Sequence, residues 1–195
     1  LPIAFENSYA ERLQGFYVPT SGDRAPAPSF VYFGESLAAE LGLNAPVVKS
    51  DAGARLLSGG YVPKGGKPLA MAYAGHQFGG FSPQLGDGRA LLLGEVIDVH
   101  GGRRDVHLKG SGKTPFSRGG DGKAALGPVL REVIFGEAMH ALGIPTTRAL
   151  AAIATGETVD RIDDLPGAVL VRIAASHLRV GTFQFFAARG ETENV

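Results

Sequence analysis

The amino-acid sequence predicts an α+β fold in which a mixed or antiparallel sheet carries one main helix. A hairpin is indicated by two strand-like runs, Ala90–Val99 and Asp105–Lys109, which a Gly-Gly turn at residues 101–102 separates. The helix is indicated by Pro128–Leu142, where proline suits the first turn and Gly143 follows the last one. In a chain of 195 residues, these elements predict one domain with a sizeable core.

The segments that precede the hairpin are mostly turns and loops. Ser36–Leu43 predicts a short helix that ends at Gly42. Residues 50–68 and 74–88 are rich in glycine and other turn-forming residues, so we expect a loop with at most one short helix in the first segment and turns in the second.

Hydrophobic periodicity organises the second half of the chain. Arg148–Ala154 and Ala168–Ala175 predict strands, the polar residues 156–167 predict the turn between them, and another helix is expected from Gly181 onward. The main helix is expected to bury an apolar stripe at helical spacing, which consists of Leu130, Val133, Ile134, Ala138, Ala141 and Leu142.

Composition excludes several classes of protein. The chain balances 19 basic against 19 acidic residues and is 44% apolar, which argues against disorder and against a protein that coats nucleic acid. It has no cysteine, which excludes a disulfide scaffold, a zinc–thiolate site and a cysteine nucleophile. It has no apolar run of about 18 residues and no signal-peptide pattern at its start. The first residue is leucine, which indicates a processed or truncated piece.

The neutral total conceals a basic segment. Residues 103–131 hold only two acidic side chains and the most glycine-rich part of the chain. Glycine lets backbone N–H groups approach a phosphate, so this combination favours anion binding, although a solvated basic face stays open as an alternative. The basic residues are Arg103, Arg104, Lys109, Lys113, Arg118, Lys123 and Arg131.

The string GSGKT at residues 110–114 is not a phosphate-binding P-loop. His107 stands where that motif needs its first glycine. Pro115 and further loop residues follow where a helix would have to begin.

Lys109 and Glu132 form a more specific pattern. Strand alternation places Lys109 on the face opposite Val106 and Leu108, at the end of a strand, and Glu132 follows in the main helix. Kinase-like small lobes hold a phosphate-contacting lysine by pairing a strand lysine with a helix glutamate. The spacing alone also fits two solvated charges.

Two glycine-rich turns and two arginines are further candidates for phosphate contacts. The turns are residues 86–89 (Gly-Asp-Gly-Arg) and 121–122 (Asp-Gly), and both also fit ordinary turns. Arg172 interrupts an apolar strand, which is costly unless it meets an anion or a carboxylate, but it also fits the exposed side of that strand. Arg179 follows shortly afterwards.

Histidine and serine offer no comparable pattern. The histidines show no i,i+4 pair and no neighbouring carboxylate cluster, so structural roles are expected for them. No serine lies in a Gly-x-Ser-x-Gly context. The histidines are His76, His100, His107, His140 and His177.

Several long strings resemble the selenoprotein O family. They are MAYAGHQFGGFSPQLGDGRALLLGE (71–95), LKGSGKTPFSRGGDGKAAL (108–126), EAMHALGIPTTRAL (137–150), GAVLVRIAASHLRVGTFQFF (167–186) and FENSYAERLQGFYVP (5–19). The resemblance runs from about residue 5 to residue 186, and strings of this length are highly specific.

The resemblance implies a pseudokinase fold that uses ATP for protein AMPylation. Family members transfer AMP to hydroxyl side chains of protein substrates and bind the nucleotide in an orientation flipped relative to ordinary kinases. It implies Glu132 as the ion-pair partner of the phosphate-binding lysine, and Lys123 stands where the family often has arginine. The ATP-binding residues that it implies are Gly86, Gly88, Arg89, Lys109, Asp121, Gly122, Arg172 and Arg179.

The same resemblance places the catalytic aspartate and the metal-binding asparagine and aspartate beyond residue 195. We therefore expect no catalytic residue and no metal ligand within this chain, with Mg²⁺ or Mn²⁺ bound downstream, and an inactive isolated chain. The expected organisation is a family-specific segment with a Gly-rich stretch (1–88), a kinase-like small lobe (89–180) and the start of a large lobe (181–195).

The expected partners are proteins with Ser, Thr or Tyr hydroxyls, without nucleic acid or membrane. The expected location is the cytoplasm of a bacterium, or the mitochondrion in a eukaryote. A non-catalytic nucleotide-binding or interaction module stays open as the alternative, because it would need the same basic glycine-rich turns.

Overall fold

A computed structural model describes residues 3–195 and shows an α+β architecture. The described residues form strands β1 (Tyr17–Pro19), β2 (Ser29–Phe33), β3 (Leu69–Met71), β4 (Gly75–Gln77), β5 (Gly80–Ser82), β6 (Ala90–Ile97), β7 (Arg103–Lys109), β8 (Ala124–Ala125), β9 (Arg148–Asp160) and β10 (Asp164–Ala174). The helices are α1 (Ser8–Arg12), α2 (Glu35–Glu40), α3 (Ala45–Val48), α4 (Asp51–Leu57), α5 (Leu126–Ala141) and α6 (Val180–Ala187), and a 3₁₀ turn covers Thr192–Asn194.

One large sheet organises the molecule. Its strand order is β1-β3-β6-β7-β10-β9-β2, with β8 paired to β10, and every strand pair found within residues 3–195 is antiparallel. Strands β4 and β5 form a separate small hairpin. The sequence-based expectation of an antiparallel sheet with one main helix is therefore confirmed.

The central hairpin of β6 and β7 follows the predicted alternation. Val106 and Leu108 enter the main core, while His107 and Lys109 lie on the opposite face. Helices α2 to α4 cover the face with Val106 and Leu108, and α5 covers part of the other face. Phe186 of α6 covers another part of that second face by packing with Leu69, Met71 and Leu92, and polar side chains lie around His107 and Lys109.

The predicted turn over residues 156–167 is wrong. Strands β9 and β10 continue through most of this segment, where the buried Val159 pairs with Leu165. The connection shrinks to residues 161–163. A strand whose polar side chains face water carries no apolar alternation, so the sequence pattern could not reveal it.

The buried face of α5 also differs from the predicted stripe. The helix buries Val129, Val133 and Gly136 against the sheet. Gly136 lies so close to the backbone at Thr147 that an added Cβ would stand 3.1 Å from its carbonyl oxygen. Of the predicted stripe, Ile134, Ala138, Ala141 and Leu142 are exposed. Apolar residues occupy two sides of this helix, and periodicity alone does not choose between them.

The first 88 residues contribute to the same sheet. Strand β2 pairs with β9 at one edge, and β3 pairs with β6 on the other side. The division of the chain at residues 88 and 180 stays a prediction. None of the helices within residues 3–195 is long and apolar enough to cross a membrane.

Candidate functional site

A cavity of about 790 Å³ opens on the face of the sheet that α5 leaves uncovered. Its wall contains all eight residues that the sequence singled out for ATP binding. These are Gly86, Gly88, Arg89, Lys109, Asp121, Gly122, Arg172 and Arg179. Residues that are up to 93 positions apart in the chain thus meet around a single cavity.

Strand register brings the charged side chains of the wall together. In the antiparallel pairing of β7 and β10, Arg172 stands opposite His107, and Leu170 stands opposite Lys109. Side chains directly opposite each other on one face are close enough to interact. The register therefore places Arg172 beside the strand that carries Lys109.

Glu132 joins the two cations from the helix above. The Lys109 ammonium donates to Glu132 Oε2, and Arg172 Nη1 donates to Glu132 Oε1 over 3.3 Å. Burial by itself raises the pKa of Glu132, but the hydrogen bond from Lys109 and the charge of Arg172 outweigh it and lower that pKa. Glu132 is therefore a carboxylate that two cations share.

Beneath this pair lies a buried Asp87–His107 contact. His107 Nε2 is 3.0 Å from Asp87 Oδ2, and Arg172 Nη2 is 2.8 Å from His107 Nδ1. Burial, together with the positive charge of Arg172, lowers the pKa of His107 to about 4, so the imidazole is neutral at pH 7. These contacts join five residues, which we call the cavity network: Asp87, His107, Arg172, Glu132 and Lys109.

The glycines of the wall serve close packing between loops. A Cβ at Gly88 would lie 2.7 Å from the carbonyl oxygen of Phe116. Gly122 has a φ of +70°, and a Cβ there would lie 2.0 Å from the carbonyl oxygen of Gly112. Both positions therefore need glycine to let two backbone segments meet at the cavity.

Asp121 is already engaged by a neighbouring arginine. Arg161 donates to both carboxylate oxygens of Asp121, over 2.7 and 3.1 Å, and the Lys123 backbone N–H donates to Oδ1. The hydrogen bond from Arg161 lowers the pKa of Asp121 despite some desolvation. This arrangement fixes the second glycine-rich turn against the short β9–β10 connection.

At another part of the wall, Arg179 lies over an aromatic ring. Its guanidinium carbon is 5.0 Å from the centre of the Tyr73 ring, a cation–π distance. Burial, with the nearby negative charge of Asp87, raises the pKa of Tyr73 to about 12. Tyr73 is therefore a neutral phenol at pH 7, and it holds Arg179 at the cavity.

The charge of the wall favours an anion. Within the described part of the chain, three carboxylates line it, Asp87, Asp121 and Asp160. The cationic side chains outnumber them and are Arg89, Lys109, Arg118, Lys123, Arg161, Arg172 and Arg179. A cleft lined by one sign of charge concentrates ligands of the opposite sign.

Known proteins resemble this chain over its whole length. The family model described as protein adenylyltransferase SelO matches residues 1–195. The chain belongs to the SelO family. This confirms the resemblance that the sequence strings indicated.

Curated SelO-family relatives are named protein nucleotidyltransferase YdiU. One from Cereibacter sphaeroides (strain ATCC 17025) is 65% identical over 196 residues, covering 100% of this chain and 40% of the relative. Those from Rhizobium rhizogenes and Rhizobium meliloti are both 62% identical, covering 100% and 98% of this chain and 38% and 39% of the relatives. The chain thus spans about 40% of the length of these relatives.

Asp87 and Arg161, which line the cavity, and the buried His107 beside it were not among the eight residues selected from the sequence. Asp87 lies between two selected glycines, and His107 shares the strand face of Lys109, so their positions were visible but their pairing was not. Arg161 lies in a segment that the sequence pattern assigned to a turn. Its contact with Asp121, 40 residues away, depends on the full length of the β9–β10 hairpin.

Proposed function

We propose that the cavity binds ATP and that this chain is the ATP-binding part of a protein AMPylase. The full-length protein would transfer AMP from ATP to Ser, Thr or Tyr hydroxyls of protein substrates. The observation that carries this proposal is the meeting of all eight selected residues around one positively charged cavity. Membership in a family described as protein adenylyltransferase supports it.

The cavity network suits a triphosphate for a physical reason. Lys109 and Arg172 share the Glu132 carboxylate, and the buried Asp87 carries the second negative charge near them, so the cavity network is neutral overall while its two cations line the cavity wall. Glu132 holds both side chains in place, which reduces the conformational entropy that they would lose on binding a phosphate. Arg89 and Arg179 add positive charge elsewhere on the wall.

The arrangement of Lys109 on a strand and Glu132 on the following helix supports a kinase-like small lobe. In protein kinases the same pairing positions the lysine that contacts nucleotide phosphates. We propose that residues 89–180 form this lobe, that residues 1–88 are a family-specific segment, and that residues 181–195 begin a large lobe.

In the proposed reaction a hydroxyl oxygen of the protein substrate attacks the α-phosphorus of ATP. An O–P bond forms, the bond from the α-phosphorus to the bridging oxygen breaks, and pyrophosphate leaves with the bonding electrons. Lys109, Arg172 and Arg179 would bind and orient the phosphates and stabilise the charge that develops on them. The base that accepts the hydroxyl proton is proposed to lie beyond residue 195.

The proposal assigns no magnesium ligand to this part of the protein. Residues 3–195 contain no group of three or more His, Cys, Asp or Glu side chains placed to hold a metal ion. The described residues therefore do not form a metal site by themselves. The proposed ligands, like the proposed base, belong to the downstream region.

Replacing Lys109 tests the proposal most directly. In the full-length protein, Lys109→Ala should weaken the Kd for ATP, measured by titration calorimetry, by about tenfold or more, because it removes a charged hydrogen bond to phosphate. Lys49→Ala is the matched control, since Lys49 also pairs with a glutamate, Glu35, but lies outside the cavity.

Labelled ATP separates AMP transfer from other outcomes. Label at the α-phosphate should appear on protein substrates, and label at the γ-phosphate should not. ATP binding without transfer by the full-length protein would favour a non-catalytic nucleotide-binding module. Absence of ATP binding, or unchanged binding in Lys109→Ala, would overturn the assignment of the cavity.

A further inference from the structure

Each ring nitrogen of His107 contacts a different member of the cavity network. Its Nδ1 faces Arg172 Nη2 at 2.8 Å, and its Nε2 faces Asp87 Oδ2 at 3.0 Å. Arginine keeps its protons and can only donate, so Nδ1 must accept and Nε2 must carry the ring proton. The neutral Nε2–H form is thus the only one that satisfies both neighbours.

The ring has little freedom to leave this orientation. His107 is fully buried, and the His177 ring stacks on it at 4.4 Å with a 16° angle between the planes. Asp87 Oδ2 also accepts from the Met71 backbone N–H at 3.2 Å, which ties the carboxylate to β3. The charged and titratable groups that face His107 are therefore Asp87, Arg172 and His177.

A second arginine–glutamate pair, which also uses a glutamate of α5, shows the geometry that forms when no histidine binds the arginine. Arg148 on β9 donates to both carboxylate oxygens of Glu137, over 2.9 and 3.0 Å. Arg172 instead gives Glu132 a single contact of 3.3 Å and turns its other terminal nitrogen to His107. The second oxygen of Glu132 is then free for Lys109.

We propose that His107 is a positioning residue that prevents Arg172 from closing a two-point pair with Glu132. By accepting one Arg172 N–H, it leaves Glu132 able to hold Lys109, so both cations face the cavity. Asp87 supports this by fixing the ring proton on Nε2. The inference rests on the proposed ATP site, because its consequence is tighter binding of a nucleoside triphosphate.

Variants at His107 test the proposal in the full-length protein. His107→Leu removes both contacts and should raise the Kd and KM for ATP by about tenfold. His107→Gln keeps an acceptor and a donor and should recover most of that affinity. Because His107 acts through Arg172, adding His107→Leu to Arg172→Gln should raise the Kd by less than about twofold.

Asp98→Asn is the matched control. Asp98 is a buried carboxylate that accepts a hydrogen bond from Arg104 Nε over 2.7 Å, and it does not line the cavity. This variant should lower the thermal midpoint and leave the Kd for ATP unchanged. If His107→Leu lowers only the thermal midpoint, or if its effect on Kd adds fully to that of Arg172→Gln, the proposal is wrong.

A measurement on the unmodified protein covers the case in which His107→Leu fails to fold. Nitrogen-15 NMR of His107 at pH 7 should show a protonated Nε2 and an accepting Nδ1. A proton on Nδ1, or a charged ring, would overturn the proposal, since Nδ1 could then not accept from Arg172. Failure of the unmodified protein to bind ATP would instead remove the proposed function and leave the NMR result standing.

Discussion

Helix α5 carries two glutamates that each bind an arginine of the β9–β10 hairpin. The two pairs differ in whether the carboxylate also binds a second cation. Arg148 and Glu137 form a closed pair in which both carboxylate oxygens bind one guanidinium. Arg172 and Glu132 form an open pair in which the carboxylate also binds Lys109. The arginine side chains are almost equally buried, 11% and 12% exposed, so burial does not distinguish them.

The difference lies in the balance of charge. Around Glu137 one arginine meets one carboxylate at hydrogen-bonding distance, with Glu40 at 3.9 Å, and no positive charge is left over. Around Glu132 two cations meet one carboxylate beside a cavity, and the second negative charge near Arg172 is the buried Asp87, which is linked to Arg172 through His107. The two arginines therefore differ in where their counter-charges lie, and Arg172 lines a cavity wall in which cations outnumber carboxylates.

The largest expected effect comes from Glu132→Gln, which removes the charge that the two cations share. Lys109 and Arg172 would repel each other and lose their fixed positions, so AMP transfer by the full-length protein should fall by about tenfold to a hundredfold. Glu137→Gln, five residues along the same helix, should change transfer by less than about twofold. Equal losses in the two variants would contradict the distinction between the open and the closed pair.

Lowering the pH should reduce the stability of the fold through the protonation of His107. The pKa of His107 is about 4 in the folded chain and about 6.5 when unfolded, because burial lowers it. Between these values the unfolded chain binds more protons, so stability is fully present above pH 6.5 and falls as the pH drops towards 4. The loss is at most about 3 kcal/mol and should appear as a falling thermal midpoint.

His107→Gln isolates this contribution, since glutamine does not titrate. The thermal midpoint of this variant should depend less on pH between 6.5 and 4.5 than that of the unmodified protein. Glu132 and Glu137 have lowered pKa values, through the hydrogen bonds from Lys109 and Arg148, so their stabilisation is lost only below their ordinary range near 4.5. Identical pH profiles would show that His107 does not contribute.

The smallest expected effect concerns the closed pair itself. Glu137→Gln leaves Arg148 partly unpaired and should destabilise the fold by about 1–2 kcal/mol, a fall of a few degrees in the thermal midpoint. The Kd for ATP should stay unchanged, which calorimetry can check. A weaker Kd would mean that the closed pair also supports the cavity.

Local sequence predicted the parts of the site that depend on one or two neighbouring elements. The β6–β7 hairpin, the opposite faces of Val106 and Lys109, and the presence of α5 follow from alternation, turn residues and periodicity. The eight candidate residues were chosen from the sequence by glycine-rich turns, isolated cations and the family resemblance. Their meeting around one cavity could not be read from their spacing.

The other features of the candidate site and the fold depend on contacts between residues that are far apart in the sequence. Whether Arg172 is exposed or buried could not be decided from its strand, since either side of the strand accepts the same pattern. Its burial follows from the register that sets it opposite His107, 65 residues earlier. The predicted buried stripe of α5 was wrong at four of its six residues, because the helix has apolar residues on two sides and only packing on β9 and β10 selects Val129 and Val133.

The sequence by itself therefore determined the fold class, the family and most of the residues that carry the positive charge of the candidate site. The tertiary structure decided how those charges are balanced. Charge balance depends on distances of a few ångströms between side chains from β7, α5 and β10, and those distances are set by strand register and helix packing rather than by the order of residues. The same physics leaves Arg148 in a closed pair and Arg172 beside the cavity.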